Sequence, residues 1–554
     1  TQGVSSAASD VYKRQVIAGV AMVSCGDFLE EKPSTQLESE GIYNSAGSAN
    51  AALAGMYAKL SDYNYVGFNY YHVVSTTSGV GVSIKANDVN LTSMSILPSN
   101  VNVTNMYIGM YEVVNVANDI VAGMEHSEIA NVKERDRIHG EARFVRALTY
   151  FNLVRLFGKV SLITEPVTDY SEAQKPRAEV SEVYDQIVTD LKEAFRLMAE
   201  PGEQVPGFPH RYAAEALLSK VYLTMAGNDE SSKYWKEAYD TALDVYENGG
   251  YSLVRPYADL FGSPHKNNAE SIFEVQYSSS VNSGRMTETT FPSGYPLMSN
   301  ITTEGKSWGK TRPSQHMFGM FDADDPRRDA SFAFGKYENI FETNAKKKEV
   351  MLFPTSKKEG NKAGLAYKQG DSEYPAWKKY YDPLMTASAT NANFVFMRYS
   401  DVLLILAESA NELNLPDAAK YLRMVLDRAR DANGNGAMDS DEIYPLDLTP
   451  AETSDKVAFR ERVMTERLRE FTGECDEWYT VRRRGPEYLK KIMEQHNAFI
   501  DNWYASQNIT TLPKFVYRYD TSDQNVRKNM LMPFPADEIN RNEAISQSDQ
   551  NFGY

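Results

Sequence analysis

The chain has 554 residues, of which 42% are hydrophobic and 24% are charged, the balance of a folded protein and not of a disordered one. Its formal net charge of −17 argues against nucleic acid as a partner, because an acidic surface repels phosphates. The one compact basic run, Arg482 to Arg484, falls inside a helical pattern, which favours an ion-paired face over a phosphate site.

Residues 1–24 have the pattern of a secretory signal peptide. Two basic residues precede the short apolar run VIAGVAMV (16–23), which Ser24 and Cys25 follow. This run is too short to span a bilayer core of about 30 Å, so it indicates a cleaved signal and not a membrane helix. A buried strand or helix start is the alternative. Residues 1–12 do not resemble a native signal start, and we interpret them as non-native.

Cys25 stands where a lipidated cysteine is expected. The sequence Met-Val-Ser-Cys that ends at Cys25 resembles a bacterial lipobox, with Met22 in the place where Leu is usual. This resemblance implies cleavage before Cys25 and attachment of lipid to that residue, and several acyl chains hold a soluble domain on a membrane. Cys475 would then be the only thiol of the mature chain, and a small buried hydrophobe is favoured there over a reactive nucleophile.

Aromatic residues are interleaved with asparagine in DYNYVGFNYYH (62–72), and further loops rich in Asn, Ser, Gly and Tyr follow. A tyrosine ring has an apolar face and a polar hydroxyl, which suits the face and edge of a pyranose ring. We therefore expect a sugar-stacking surface in these loops, the alternative being aromatic residues that only pin the loops to the core. The candidates for stacking are Tyr65, Tyr70, Tyr71, Tyr295 and Trp308, and those for polar contacts are Asn87 and Asp88.

Helical periodicity dominates the rest of the chain. Ser181 is placed to begin one of these helices and Gly158 to end another. The helices come in pairs with alanine at close-approach positions, and such pairs resemble tetratricopeptide repeats. The predicted helical segments are 140–158, 181–198, 212–227, 235–250, 398–413, 417–430 and 459–471.

The spacing of these pairs is irregular, which predicts a scaffold with insertions and not a simple solenoid. The expected fold is mainly α, with tetratricopeptide-like helix hairpins forming an α/α scaffold, a large loop-rich inserted ligand-binding region and a few short strands. We expect one domain over residues 25–554. Its repeat helices would occupy roughly 45–60, 138–250, 395–430 and 455–490, with the inserted region at about 270–395.

The segment DANGNGAMDSDE (431–442) fits the calcium-loop pattern D-x-[DN]-x-[DN]-G-x₅-E at each position. A helix precedes it, but two prolines in the following IYPLDLTP leave only half of an EF-hand. An Asn/Gly/Asp-rich surface turn has the same composition and is the alternative. We expect a structural Ca²⁺ and no catalytic cofactor. The predicted ligands are the side chains of Asp431, Asn433, Asn435, Asp439 and Glu442 and the backbone carbonyl of Ala437.

Several stretches, in order along the chain, resemble the SusD/RagB family of outer-membrane lipoproteins. They are CGDFLEEKPST from Cys25, EARFVRALTYFNLVRLFGKVSLITEP, RPSQHMFGMFDADDPRRD, FMRYSDVLLILAESANEL, RLREFTGECDEWYTVRRRG, LMPFPADEINRN and the terminal QNFGY. The chain departs from the family at Cys475 to Glu477, at Arg484 and at Phe552. None of these departures falls on a candidate ligand-binding residue.

The resemblance implies a lipoprotein that is anchored in the outer membrane and exposed at the cell surface. There it would lie as a lid over a SusC-like TonB-dependent transporter and capture an oligosaccharide. Two alternatives share the anchor and the helix pairs: the same transporter partnership with a peptide cargo, and a repeat-based adhesion lipoprotein that binds protein. An enzyme is not expected, because the common nucleophile, zinc and phosphate motifs are missing from the sequence.

Overall fold

The structure is a computed structural model, which describes residues 39–281, 309–338, 349–351, 353, 373–382, 389–437 and 439–554. Within these residues, no helix combines the length and the apolar content needed to cross a membrane. The α-helices are α1 (Ser39–Ile42), α2 (Ala46–Leu60), α3 (Asn69–Thr76), α4 (Val89–Thr92), α5 (Val101–Glu125), α6 (Val132–Phe157), α7 (Val180–Leu197), α8 (Arg211–Ala226), α9 (Tyr234–Asn248), α10 (Gln315–Gly319), α11 (Pro326–Ser331), α12 (Tyr399–Glu412), α13 (Ala418–Arg430), α14 (Pro450–Ser454), α15 (Lys456–Glu470), α16 (Asp476–Arg483), α17 (Pro486–Ser506), α18 (Asp523–Lys528) and α19 (Ala536–Arg541).

The strands are short and pair only two at a time in the described part of the chain. All of the pairs are antiparallel: β1 with β5, β2 with β3, β4 with β10, β6 with β9 and β7 with β8. The strands are β1 (Gly81–Ser83), β2 (Val160–Ser161), β3 (Arg177–Ala178), β4 (Ser271–Val275), β5 (Thr311–Pro313), β6 (Phe332–Ala333), β7 (Lys336–Glu338), β8 (Glu349–Met351), β9 (Ala376–Trp377) and β10 (Phe394–Arg398).

The long helices form one continuous array in which each helix packs against the next. α5 packs on α6, α6 on α7, α7 on α8 and α8 on α9. The chain then leaves the array for an insertion, and on its return α12 packs on both α9 and α13. Ala216, Ala242 and Ala407 of α8, α9 and α12 are fully buried, and their small side chains allow the helices to approach closely. This arrangement confirms the predicted tetratricopeptide-like scaffold.

The ends of the helices follow from local sequence. Gly158 ends α6 with φ of +70°, a left-handed conformation that glycine adopts without strain, and its N–H donates to the Val154 carbonyl. The predicted N-cap of α7 was wrong, because Glu179 and not Ser181 occupies that position. The Glu182 carboxylate, in the first turn of the helix, accepts the N–H of the cap residue Glu179 at 2.8 Å. This hydrogen bond stabilises the start of α7.

The insertion between α9 and α12 leaves and rejoins the array at one place. β4 pairs with β10, so that Val275 lies opposite Phe394 and Ser271 lies opposite Arg398. One hydrophobic core extends from the helical array into this insertion, where it includes Phe394 and the buried Trp377. The two ends of the insertion are therefore fixed beside each other, against the array.

A buried cluster of ionic side chains joins the insertion to the array. Arg398, at the end of β10, donates to Glu470 Oε1 at 2.6 Å and to Glu270 Oε1 at 2.7 Å. Arg327 of α11 donates to Glu470 Oε2 at 2.9 Å, and Arg428 of α13 also reaches Glu470. Each of these five side chains is at most 2% exposed. The cluster therefore ties three separate elements to the last residue of α15.

Glu470 is the centre of this cluster. Burial alone would raise the pKa of Glu470, but the positive charges of Arg428, Arg398 and Arg327 hold that pKa well below its usual range. The carboxylate is therefore ionised at neutral pH. Loss of the Glu470 charge would leave Arg327, Arg398 and Arg428 with fewer counter-charges in a medium of low dielectric constant, although each keeps another carboxylate partner.

We expect Glu470→Gln to lower the free energy of unfolding by about 3 to 5 kcal/mol, because three buried guanidinium groups lose their shared counter-charge. The measurement is the urea midpoint followed by circular dichroism. Glu193→Gln is the matched control, since Glu193 is 41% exposed and pairs with Arg196 on the helix surface; its loss should stay below about 1 kcal/mol. Equal midpoints for the two variants would contradict the importance given to the cluster.

Candidate functional site

The pairing of β1 with β5 brings together two loops that are far apart in the sequence. Ser83 lies opposite Thr311 in this pair. The N–H of Ile84 donates to the carbonyl oxygen of Lys310 at 2.9 Å. Residues 84–88, which follow β1, therefore lie beside residues 309–310, which lead into β5. We call these two segments, together with Tyr63 and Phe68 packed beside them, the loop junction.

A buried polar network supports the loop junction from below. His72 is fully buried, with Nδ1 2.9 Å from Thr311 Oγ1 and Nε2 3.4 Å from Asp88 Oδ2. The Ser83 hydroxyl donates to the same Asp88 oxygen at 2.7 Å. Burial would raise the pKa of Asp88, but His72, the charge of Lys310 and the Ser83 hydroxyl lower it to about 2. Asp88 is therefore an ionised anchor of the loop, and burial lowers the pKa of His72.

Above this network, the loop junction presents an aromatic ring, an amide and an ammonium group. Tyr63 is 37% exposed and stacks on the buried Phe68, with 4.3 Å between the ring centroids and 13° between the ring planes. Lys310 Nζ lies 4.5 Å from the centroid of the Phe68 ring. Asn87 is exposed on the 3₁₀ turn Ala86–Asp88. An exposed ring flanked by a few polar groups suits the apolar face and the hydroxyls of a sugar.

Sequence reasoning did not select Tyr63, although turn residues mark its position. Asp62 Oδ1 accepts the N–H of Asn64 at 2.8 Å, and the Asp62 carbonyl accepts the N–H of Gly67 at 2.9 Å. The chain thus turns tightly around Tyr63 before α3 begins. An aromatic residue between two turn-forming residues falls outside any helical period, and this signal separates Tyr63 from its neighbours.

The structure contradicts the expectation that Tyr65, Tyr70 and Tyr71 form a stacking surface. Tyr65 and Tyr71 are 0% exposed and Tyr70 is 2% exposed, so none of them presents a ring face to a ligand. Asn152 Nδ2 of α6 donates to the Tyr65 hydroxyl at 2.8 Å, and the hydroxyls of Tyr70 and Tyr479 are 3.0 Å apart. These rings pin the segment to the scaffold helices, which is the alternative that the sequence had left open.

The other two candidates for stacking, Tyr295 and Trp308, lie outside the described residues, and so does the predicted lipid-bearing Cys25. Trp308 immediately precedes Gly309 in the sequence. Of the polar candidates, Asn87 is exposed at the loop junction, while Asp88 is 7% exposed and holds the loop in place.

Asp431, the first residue of the predicted calcium loop, is 1% exposed. Its Oδ2 accepts the N–H of Gly436 at 2.9 Å and a hydrogen bond from Arg255 at 2.6 Å, while its Oδ1 has no hydrogen-bond partner. The bond to Gly436 holds the sharp turn that the pattern requires at its glycine. A buried carboxylate oxygen without a partner is a suitable ligand for a cation.

The remaining ligand side chains of this loop do not converge. The amides of Asn433 and Asn435 both donate to Asp439 Oδ2, at 2.8 and 3.1 Å. Glu442 Oε2 accepts the N–H of Asp439 at 3.1 Å. Among the described residues, no group of three His, Cys, Asp or Glu side chains is placed to hold a metal ion. The residue types fit Ca²⁺, but Asp439 and both amides would have to reorient to bind it.

Cys475 and two arginines of the basic run, Arg483 and Arg484, contribute to the structure through burial or ion pairs. Cys475 is 1% exposed, and burial raises the pKa of its thiol well above the usual value, as expected for a small buried hydrophobe. Arg483 pairs with Glu408 at 2.7 Å, and Arg484 reaches the same carboxylate. This part of the run is the ion-paired face that the sequence predicted.

Two sequence matches assign the family of the chain. Residues 269–554 match the SusD family, and residues 27–223 match a family described as starch-binding and associating with the outer membrane. The chain therefore belongs to the SusD family. SusD-like proteins are non-catalytic carbohydrate-binding proteins, so the chain is not an enzyme.

Relatives and solved structures match the chain over nearly its whole length. A SusD-like protein, P2, of Formosa agariphila is 25% identical over 97% of this chain and 98% of its own. The structure of a SusD homolog from Bacteroides thetaiotaomicron has a TM-score of 0.72 at 20% identity and covers 94% of this chain and 99% of its own. A structure with xylogluco-oligosaccharide has a TM-score of 0.67 at 21% identity, covering 90% and 98%. A laminarin-binding SusD-like protein has a TM-score of 0.66 at 21% identity, covering 92% and 100%.

Proposed function

We propose that this protein is a lipoprotein of the outer membrane that captures an oligosaccharide at the cell surface and delivers it to a SusC-like TonB-dependent transporter. Membership of the SusD family supports the cargo class, as do similar structures that carry xylogluco-oligosaccharide or are described as laminarin-binding. The observation in this chain that carries the proposal is the loop junction, where the exposed Tyr63 ring lies among polar groups.

At the loop junction, a sugar ring packs its apolar face on Tyr63, which the stacked Phe68 holds in orientation. Asn87 can donate to one hydroxyl and accept from another, and the Lys310 ammonium can donate to oxygen. Asp88 acts as a positioning residue, because the hydrogen bond that it accepts from Ser83 and its contact with His72 hold the turn that carries Asn87. Tyr295 and Trp308 are included in the proposal as further stacking residues on the basis of the sequence alone.

We expect Tyr63→Ala and Trp308→Ala each to weaken binding of the oligosaccharide by about tenfold, or about 1.4 kcal/mol, because each loses a ring contact. A glycan array on residues 26–554 identifies the oligosaccharide, and isothermal titration calorimetry measures the Kd. Phe552→Ala is the matched control, since it removes an exposed ring near the chain terminus. Unchanged binding by both variants would remove the loop junction from the site.

Binding of peptides but of no glycan would favour the peptide cargo, and binding of neither would favour a protein-binding adhesion role.

The proposed anchor predicts that Cys25→Ala releases the protein from the membrane fraction into the soluble fraction. Wild-type protein extracted in detergent should carry with it a TonB-dependent transporter, identified by mass spectrometry. Cys475→Ala is the control, since it removes the buried cysteine and should leave the protein membrane-bound. Retention of the Cys25→Ala variant in membranes washed at high salt would contradict lipid anchoring.

We also propose that the 431–442 loop binds Ca²⁺ as a structural ion. The supporting observations are the pattern of oxygen-bearing residues, the Asp431–Gly436 hydrogen bond and the buried Asp431 Oδ1 without a partner. A single loop without a paired EF-hand suits weak binding, with a Kd of about 10⁻⁴ to 10⁻³ M as in extracellular modules.

With such a Kd, about 10 mM Ca²⁺ should stabilise the protein by roughly 1.4 to 2.7 kcal/mol and raise its melting temperature relative to a chelator. Glu442→Gln should remove this calcium-dependent rise, because it removes the charge of the last ligand. Glu452→Gln, a nearby carboxylate outside the loop, is the control and should keep the full rise. Identical melting curves of the wild type in calcium and in chelator would show that the loop is only a turn.

A further inference from the structure

A cavity of about 210 Å³ lies among α6, α7, α8, α15 and α16, and no residue of the loop junction lines it. This volume is smaller than the 300 to 1,000 Å³ usual for drug-sized ligands, so the cavity suits a ligand of about one sugar ring. Leu223, Met530 and Leu531 form apolar parts of its wall. Five of its lining side chains are cations and one is a carboxylate, which is unexpected in a chain with a net charge of −17.

Some of these cations are neutralised by carboxylates. Lys220 donates to Asp401 and Asp476, both at 2.7 Å. Arg467 donates to the same two carboxylates, at 2.7 and 3.1 Å. Two cations thus share two anions, and these four side chains contribute no net charge. Arg483, which also lines the cavity, pairs with Glu408, a carboxylate that it shares with Arg484.

Arg482 has no carboxylate within ion-pair distance among the described residues. Its guanidinium instead donates to the backbone oxygens of Asn529, at 2.7 Å, and Thr77, at 3.0 Å. Arg482 is 6% exposed, and burial lowers its pKa to about 9. Its positive charge is therefore balanced by backbone oxygens, which include those of Ser78 and Trp478, and by no carboxylate of the described residues.

Arg155, on the cavity wall, is held flat between two aromatic rings. Its guanidinium carbon lies 3.6 Å from the ring centroids of both Phe151 and Tyr479. Nε donates to the Phe151 carbonyl at 3.0 Å and Nη2 to Asn152 Oδ1 at 2.6 Å. Nη1 makes no hydrogen bond, and no carboxylate pairs with Arg155 within the part of the chain that the structure describes. A rigid guanidinium with unused N–H groups is suited to bind a carboxylate or sulfate through two oxygens.

We propose that this cavity binds the carboxylate group of an acidic sugar, a uronate unit. Arg155 donates to two oxygens of that group, and the charge of Arg482 adds to the attraction. The half-buried Tyr184 lines the same cavity and flanks the sugar ring. Binding here needs a negative charge, whereas the loop junction needs only a ring face and hydroxyls. The proposal therefore does not rest on glycan binding at the loop junction.

The test titrates residues 26–554 at low ionic strength with glucuronate, glucose and inorganic sulfate, using calorimetry or ligand-observed NMR. Glucuronate should bind at least tenfold more tightly than glucose, which has the same ring without the charge. Arg155→Gln should weaken glucuronate binding at least tenfold, and Arg155→Lys should restore part of it, because the charge returns without the planar geometry. Arg196→Gln is the matched control, since Arg196 is 63% exposed on the surface of α7.

Melting curves of both Arg155 variants verify that the fold is intact, and Tyr63→Ala should leave glucuronate binding unchanged. Equal binding of glucuronate and glucose, or wild-type affinity in Arg155→Gln, would overturn the proposal. Binding of sulfate without any binding of glucuronate would assign a free oxyanion to the cavity and overturn the acidic-sugar assignment. Loss of glucuronate binding in Tyr63→Ala would place that binding at the loop junction instead.

Discussion

The buried ionic cluster around Glu470 fixes the position of the insertion against the helical array. The described part of the insertion has short strand pairs and no long helix, so no long helix–helix packing fixes its orientation. Buried charges have a stringent geometric requirement, because each one must find its partner or remain unpaired in the interior. Together with the further ionic partners of its five central side chains, the cluster consists of Arg327, Lys379, Arg398 and Arg428 with Glu270, Asp325, Glu466, Glu470 and Glu474.

The helices were predictable from the sequence, and this cluster was not. Periodic apolar residues, a glycine stop at Gly158 and alanines at helix contacts depend only on neighbours within the same helix or the next one. Arg428 and Glu470, by contrast, have the sequence pattern of charges on a solvent-facing helix surface. Their burial depends on residues of the insertion far away in the sequence, such as Arg327, and no local pattern encodes that meeting. The same holds for the pairing of β4 with β10.

The candidate site, too, could be predicted from the sequence only in part. Composition directed attention to the loops around 62–72 and 85–90, and both contribute residues to the loop junction. The choice among tyrosines failed because exposure depends on where α3 begins, at Asn69, and on how it packs against α5. Tyr70 and Tyr71 lie on that helix and contact the core, while Tyr63 precedes it in a turn. Asp88 was likewise expected to contact the ligand, but its carboxylate is buried and contacts Ser83 and His72.

The closure of the insertion by β4 and β10 has a consequence for how such a protein diversifies. Two paired strands are about 4.8 Å apart, so the two ends of the insertion stay together whatever the length of the chain between them. The parts of that chain that contribute no side chain to the core or to the ionic cluster can therefore grow, shrink or change their composition while the array keeps the same packing. Evolution of new specificity is thus separated from maintenance of the scaffold. Related chains can differ most in this segment and still fold alike.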